Sequence, residues 1–262
     1  MGLIMVPPVI LLIVLFPPVV LYLMVFLATF LGLREYTHLV LPNSNWMERT
    51  VGIGLGLMLS VIVSFGGIKQ IHPFLVVVLL VLSVFFMGTS KDLSSTIPKM
   101  GMVLFGILFI GFLLAYVSLM RNMPRGRLWV LFLTTTVWAG DISALVTGAS
   151  FGKHKLYPKI SPQKTFEGLG GAILGSMIVA LVFVVLFLPH VKKETCILLA
   201  AGIGFFGQLG DFTESMLKRS ASVKDSGNLI PGHGGMLDRL DSFLFSAPFL
   251  YYCLLYFLKE TP

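Results

Sequence analysis

Long stretches without any charged side chain constrain this chain more than any other feature of its sequence. Residues 100–120 and 168–189 contain no Asp, Glu, Lys or Arg, and each is as long as the ~20-residue helix that crosses a hydrocarbon core. Only 12% of all residues are charged and 56% are hydrophobic, whereas soluble domains carry about 25% charge. This composition excludes a water-soluble globule and predicts a polytopic membrane protein.

Uncharged runs of this length predict helices, because strands of a membrane barrel alternate polar and apolar residues over about ten positions. We therefore expect an all-α fold with nine transmembrane helices. The predicted segments are residues 2–16, 18–40, 51–66, 73–87, 99–120, 127–150, 168–189, 194–219 and 240–258. No internal repeat or flexible linker interrupts them, so we expect a single membrane domain, with residues 1–130 as a lipid-facing scaffold and residues 131–262 as the part that carries the chemistry.

The distribution of positive charge predicts the topology. Of the 19 Lys and Arg residues, 12 lie near the loops that follow the second, fourth, sixth and eighth segments, and 7 lie on the other side. The positive-inside rule places the first group in the cytoplasm. The net charge of +7 thus indicates loops that face anionic lipid, and we expect a multi-pass protein of the cell membrane with no nucleic-acid partner.

The two cysteines and the N-terminus add little chemistry. Cys196 and Cys253 lie in separate apolar segments, which supports neither a disulfide framework nor a thiolate zinc site. The apolar N-terminus lacks a basic region before it, so we expect it to be mature membrane structure and not a cleaved leader.

Charge is concentrated in two loops predicted on the same side of the membrane, residues 151–167 and 211–241. Together they hold 14 of the 31 charged side chains. In the second stretch, Asp211, Ser215 and Lys218 share one helix face at i, i+4 and i+7. A glycine-rich turn follows, in which backbone amides can approach an anionic group closely.

Asp238 and Asp241 follow that turn, so carboxylates flank it on both sides. Carboxylates are hard oxygen ligands for Mg²⁺, and the neighbouring Lys, Arg and His side chains suit phosphate. The combination predicts phosphoryl or nucleotidyl transfer. The alternative is a solvated loop whose carboxylates only cap helices. Asp141, inside an apolar helix, has either a functional role or a role in helix capping or pairing.

The first stretch predicts a semi-rigid basic loop around Pro158 and Pro162. Four lysines lie in it: Lys153, Lys155, Lys159 and Lys164. Ser161 or Thr165 can cap the helix that follows. Contact with phosphates is one interpretation of the lysines, and a cluster that only sets the topology is the other.

Thirteen positions in 27 residues of the second stretch resemble the signature of the phosphatidate cytidylyltransferases, also called CDP-diacylglycerol synthases. They are Ser215, Lys218, Arg219, Lys224, Asp225, Gly227, Pro231, His233, Gly234, Gly235, Asp238, Arg239 and Asp241. The resemblance extends to Gly210, Asp211, Glu214, Trp138, Asp141 and the Lys-rich stretch. In the first 130 residues, only Glu35 matches beyond the apolar character of the helices.

This resemblance implies a reaction in which CTP and phosphatidic acid give CDP-diacylglycerol and pyrophosphate. It also implies Mg²⁺, with a second metal ion possible, a homodimer, and an active site on the cytoplasmic face that opens to membrane lipid. Two other classes stay open. A CTP-dependent lipid kinase resembles the family in fold and motif, and a cation-coupled transporter would also place carboxylates within helices.

The residues and the resemblance together assign three sets of candidate residues. The metal ligands are Asp211 and Asp238, with Asp141 and Asp241 as second choices. The phosphate-binding set is Lys153, Ser161, Lys164, Thr165, Ser215, Gly234 and Gly235. The catalytic set is Lys218, Arg219, Lys224, Asp225, His233, Arg239 and Asp241.

Overall fold

The computed structural model describes residues 2–42, 44–90, 92–227 and 234–259. Its helices are α1 (Gly2–Leu15), α2 (Pro18–Val40), α3 (Trp46–Gly66), α4 (Ile71–Thr89), α5 (Leu93–Gly106), α6 (Leu113–Arg121), α7 (Gly126–Phe151), α8 (Phe166–Phe187), α9 (Lys193–Ser220) and α10 (Leu237–Tyr256). A short 3₁₀ helix, Ile68–Gln70, precedes α4, and a π-helical segment, Ile107–Phe112, joins α5 to α6.

Because α5, the π-helical segment and α6 form one continuous span, the described residues contain nine helical segments, which overlap the nine predicted ones. Seven of the segments in this described part are long and apolar enough to cross a membrane. Helix α1, with 14 residues, and α10, with three charged residues in its first turns, are not among the seven. The all-α polytopic fold is confirmed.

Three helices begin three or more residues earlier than hydropathy indicates. Helix α5 begins at Leu93 and not at 99, since the Asp92 side chain accepts a hydrogen bond from the Ser94 N–H at 3.0 Å and caps it. Helices α3 and α10 begin at Trp46 and Leu237, and the side chain that precedes each of them makes no capping hydrogen bond. Asp238, which precedes the predicted segment 240–258, therefore lies on α10 together with Asp241.

The predicted basic loop contains regular structure. Strands β1 (Lys155–Tyr157) and β2 (Ser161–Thr165) pair antiparallel, with Lys155 opposite Thr165 and Tyr157 opposite Ser161. The hairpin begins just after α7 and ends where α8 starts. Its lysines are therefore held at the ends of these two helices.

Small residues let the helices of the C-terminal half approach closely. A Cβ at Gly140 of α7 would lie 2.7 Å from Ser176 Oγ of α8, and one at Gly204 of α9 would lie 3.0 Å from the Ala172 carbonyl oxygen. Ser176 Oγ also donates a hydrogen bond to the Thr136 carbonyl at 3.0 Å. Close backbones and hydrogen bonds between helices are what holds helices together in lipid. They bring the polar ends of α7–α10 together.

The N-terminal helices pack mainly through apolar side chains. Leu33, Leu59 and Ile110 are almost completely buried there. In one polar contact, the Tyr36 hydroxyl of α2 donates to the Met102 carbonyl of α5 at 2.8 Å. We call helices α1–α6 the N-terminal frame. One residue of it, Glu35 of α2, extends to the polar ends of the C-terminal helices.

Candidate functional site

The last turns of α9 carry a polar face at the end of an apolar helix. Asp211, Glu214 and Lys218 lie on this face, as their spacing of i, i+3 and i+7 requires. Glu214 is completely buried and the Lys218 ammonium lies 2.5 Å from its Oε2. A charge of each sign is thus held inside the protein, where a pair is far more stable than a lone charge.

Helix α10 crosses α9 directly beside this face. A Cβ at Gly210 would clash with the carbonyl oxygen of Asp241, so only glycine permits this crossing. Asp241 is held in turn by the Ser242 N–H, which donates to its Oδ1 at 2.7 Å, and the Ser242 hydroxyl donates to Asp141 Oδ1 at 3.0 Å. Carboxylates from α7, α9 and α10 therefore face one another.

Three of these carboxylates form a group that we call the carboxylate cluster: Asp211, Glu214 and Asp241. One ligand oxygen from each lies within 4.8 Å of the others. Glu214 Oε1 has no hydrogen-bond partner among the described residues although it is fully buried. An unpartnered buried carboxylate oxygen among two further carboxylates fits a bound divalent cation, because Mg²⁺ prefers such hard oxygen ligands.

Two lysines, from β2 and α9, border the carboxylate cluster. Lys164, on β2, lies 2.6 Å from Asp211 Oδ1, and its ammonium lies 4.4 Å from the centre of the Phe212 ring. Lys218 lies between Glu214 and Asp238, 2.6 Å from Asp238 Oδ1. The cluster can therefore attract both a metal ion and the negative charge of phosphates.

Asp238, a predicted metal ligand, has both carboxylate oxygens in hydrogen bonds with protein donors. Its Oδ1 takes a hydrogen bond from Lys218, and its Oδ2 takes bonds from the Ser226 N–H (3.1 Å), the Ser226 hydroxyl (2.8 Å) and the Gly235 N–H (2.8 Å). Both oxygens are thus occupied by protein donors. The structure groups Glu214, and not Asp238, with Asp211 and Asp241.

The glycine-rich segment between α9 and α10, which we call the glycine turn, has described residues before 228 and after 233. Gly234 has φ +78°, a conformation natural to glycine, and a Cβ there would lie 2.6 Å from Asp238 Oδ2. Gly235 donates its N–H to the same oxygen. Both predicted phosphate-binding glycines thus contact a carboxylate. His233, predicted to be catalytic, lies outside the described residues.

The remaining predicted residues divide into structural contacts and exposed side chains. Arg219 donates from Nε to the Ile160 carbonyl and from Nη1 to the Val223 carbonyl, both at 3.2 Å, and so ties the hairpin to the end of α9. Thr165 caps α8 by accepting from the Gly168 N–H at 3.1 Å, which confirms its predicted capping role.

The other predicted residues surround these contacts. Ser215 Oγ is 3.5 Å from Asp211 Oδ1, and Ser161, at the start of β2, is half-buried. Arg239 lies in the first turn of α10. The exposed predicted residues are Lys153, Lys224 and Asp225.

Sequence reasoning assigned no role to Glu35, which joins this region from α2. Its carboxylate accepts hydrogen bonds from the N–H groups of Met236 and Leu237, both at 2.8 Å, and from the Ser226 hydroxyl at 3.1 Å. Two signals were available: its carboxylate lies within an apolar helix, and Glu35 is part of the family resemblance.

A separate cavity of about 440 Å³ lies between α9 and α10. Its lining consists of Phe206, Leu209, Phe245, Pro248, Phe249, Tyr252, Cys253, Tyr256 and Phe257. None of these residues is charged, so the polar chemistry belongs to the carboxylate cluster and not to this cavity.

Several proteins of known name are similar in sequence to this chain over more than half of its length. A segment of 163 residues is 40% identical to "Phosphatidate cytidylyltransferase" of Bacillus subtilis (strain 168), and covers 62% of this chain and 61% of the relative. Proteins of the same name are 45% identical over 141 residues in Staphylococcus epidermidis and 43% identical over 143 residues in Staphylococcus aureus (strain COL). The segments matched in these two cover 54% of this chain and 53% of each relative.

The family match is broader than these pairwise matches. The sequence model described as the cytidylyltransferase family matches residues 1–257, which include all ten helices and the hairpin. The match therefore contains both the N-terminal frame and the carboxylate cluster. On this ground, the chain belongs to the cytidylyltransferase family.

Proposed function

We propose that this protein is a phosphatidate cytidylyltransferase, which converts CTP and phosphatidic acid to CDP-diacylglycerol and pyrophosphate in phospholipid biosynthesis. The observation that carries the proposal is the carboxylate cluster of Asp211, Glu214 and Asp241, bordered by Lys164 and Lys218, in a chain of the cytidylyltransferase family. The names of its relatives support the choice of CTP and phosphatidic acid as substrates.

The proposed reaction needs little acid–base chemistry from the protein. A phosphate oxygen of phosphatidic acid forms a bond to the α-phosphorus of CTP, and the bond from that phosphorus to the oxygen bridging to the β-phosphorus breaks. Pyrophosphate leaves with the bonding electrons. Because the second pKa of a phosphate monoester is about 6, the nucleophile is largely ionised at neutral pH. No strong general base is required.

The main obstacle is then the repulsion between two polyanions. Mg²⁺ bound by Asp211, Glu214 and Asp241 would neutralise phosphate charge, and a second ion is compatible with Asp141 nearby. Lys164 of β2 lies beside Asp211, and Lys218 of α9 lies beside Asp238 at the start of α10. Fixed charges on rigid helices stabilise the developing charge without reorganising during the reaction.

The proposal includes the location and the assembly of the enzyme. Helices α7 and α9 end, and α8 and α10 begin, at the end of the bundle that holds the carboxylate cluster and the lysines of the hairpin. Positive charge of this kind favours the cytoplasmic face of the cell membrane, where CTP is available. A homodimer in that membrane is also proposed, and cross-linking in intact membranes would test it.

Purified protein with phosphatidic acid and CTP tests the proposed reaction. CTP labelled in the cytosine base should transfer its label to lipid in a Mg²⁺-dependent manner, and the Asp92→Asn variant, altered at an exposed carboxylate, should do the same. Transfer of a γ-phosphate label to lipid would instead establish a lipid kinase. Transfer of neither label would contradict both and favour transport.

A further inference from the structure

Glu35 lies on α2, about 200 residues before the glycine turn, yet both of its carboxylate oxygens are used at that turn. Oε1 accepts from the Met236 N–H at 2.8 Å, and Oε2 accepts from the Leu237 N–H at 2.8 Å. Oε2 also lies 3.1 Å from the Ser226 hydroxyl. One side chain from the N-terminal frame thus holds both sides of the turn.

These contacts supply the cap that α10 lacks. Met236 precedes α10 in a helical conformation, and its own side chain makes no capping hydrogen bond. The first N–H groups of a helix have no partner within the helix, and a carboxylate at this end is favoured by the helix dipole. Glu35 therefore replaces a local cap with one from another helix.

Two glycines of the turn make room for this carboxylate. A Cβ at Gly227 would lie 2.9 Å from Glu35 Oε1, and a Cβ at Gly235 would clash with Glu35 Oε2. Glycine is thus required at both positions because a larger side chain would collide with the Glu35 carboxylate.

A continuous set of contacts leads from Glu35 to the carboxylate cluster. The Ser226 hydroxyl lies within hydrogen-bond distance of both Glu35 and Asp238, and Asp238 binds Lys218. Lys218 pairs with Glu214 of the cluster. Asp241 follows Asp238 by less than one turn of α10, so the direction of the first turn also sets the direction of Asp241.

We propose that Glu35 is a positioning residue of the active site, which holds the glycine turn and the first turn of α10 so that Asp241 and Lys218 stand at the carboxylate cluster. The inference rests on the proposed cytidylyl transfer. It makes the N-terminal frame part of the catalytic apparatus through one residue.

Glu35→Gln tests this role with almost no change of size. A glutamine has one oxygen acceptor, so it cannot accept from both backbone N–H groups through separate oxygens as the carboxylate does. We expect kcat to fall about 10- to 100-fold and the Mg²⁺ concentration for half-maximal activity to rise about tenfold, as for other residues that orient metal ligands. Glu35→Asp, which keeps both oxygens, should recover part of the loss.

Glu48→Gln is the matched control. Glu48 is a carboxylate of the N-terminal half too, buried on α3, and it pairs with Lys99 of α5 at 3.5 Å. Glu48→Gln removes a buried negative charge and leaves the contacts of the glycine turn unchanged. A merely structural role for Glu35 would lower the yield of active enzyme in both variants and leave the Mg²⁺ midpoint unchanged, which would overturn the proposal.

Hydrogen exchange provides a readout that does not depend on activity. In Glu35→Gln, the peptide that contains Met236 and Leu237 should exchange faster than in the wild type and in Glu48→Gln. Unchanged exchange would overturn the inference. If Glu35→Gln does not fold, Gly227→Ala, which places a methyl group against the carboxylate, should give the same changes. Absence of cytidylyl transfer by the wild type would refute the proposed function, whereas exchange would still decide the role of Glu35.

Discussion

The two charged stretches of this chain are used in opposite ways. In residues 211–241, seven of the nine charged residues lie on α9 and α10, and charges of opposite sign pair there, as Lys218 does with Glu214 and Asp238. In residues 151–167, three of four lysines are exposed on or beside a hairpin, and Lys164 alone of the four is shielded and contacts the carboxylate cluster. Density of charge in a sequence therefore does not measure how many charges take part in a site.

The largest effect is expected at Asp211, in the carboxylate cluster of residues 211–241. Asp211→Asn removes one charge from the carboxylate cluster and the partner of Lys164, so we expect cytidylyl transfer to fall about 10³-fold, the upper end for losing one preorganised electrostatic group. The assay is steady-state transfer at saturating Mg²⁺. Asp92→Asn should keep wild-type activity, and a Mg²⁺-dependent Asp211→Asn enzyme of normal rate would remove the cluster from the mechanism.

The second-largest loss of activity is expected at Arg239, a cation of the same stretch. Arg239 follows Asp238 at the start of α10, and a guanidinium directed at the leaving pyrophosphate would act mostly in the transition state. Arg239→Ala should lower kcat about 10²-fold with a smaller change in KM for CTP, and Arg239→Lys should recover only part of it, because an ammonium lacks the planar fork. A variant that aggregates or melts far below wild type would point to a structural role.

Within the hairpin, activity should depend on one lysine, Lys164. Lys164→Gln loses the cation beside Asp211 and should reduce kcat/KM about tenfold or more, by analogy with other charge-assisted contacts to phosphate. Lys159→Gln, an exposed residue at the turn of the same hairpin, is the control and should have little effect. Equal small losses in both variants would mean that the hairpin contributes only general positive charge.

The smallest effect should come from Thr165, where the hairpin ends. Its hydroxyl is buried and caps α8, so Thr165→Ala should cost about 1 kcal/mol of stability while KM for CTP stays unchanged. Thermal unfolding in detergent measures the loss, and Thr165→Ser should restore the cap. A large rise in KM with unchanged stability would instead assign the hydroxyl to phosphate binding.

Hydropathy and charge were sufficient to place the nine helical segments and to identify the two charged stretches. They failed where a short polar residue starts a helix before its apolar part begins, as Asp92 does for α5. They also failed at the hairpin, because strands of three and five residues with two prolines nearby carry no clear alternation of polar and apolar residues. Asp211 and Asp241 were among the candidate carboxylates, but Glu214, which completes the cluster, was assigned no role.

The sequence by itself determined that the chain is helical and membrane-spanning, since uncharged runs in lipid must satisfy their own backbone hydrogen bonds. It also determined which side chains are chemically unusual for their surroundings. Tertiary structure alone decided their partners. Glu214 joins Asp211 and Asp241 because α10 crosses α9 at Gly210, and Asp238 turns instead to Lys218, Ser226 and Gly235. Glu35 reaches the turn because α2 packs against α10, a contact between residues about 200 positions apart that no local pattern encodes.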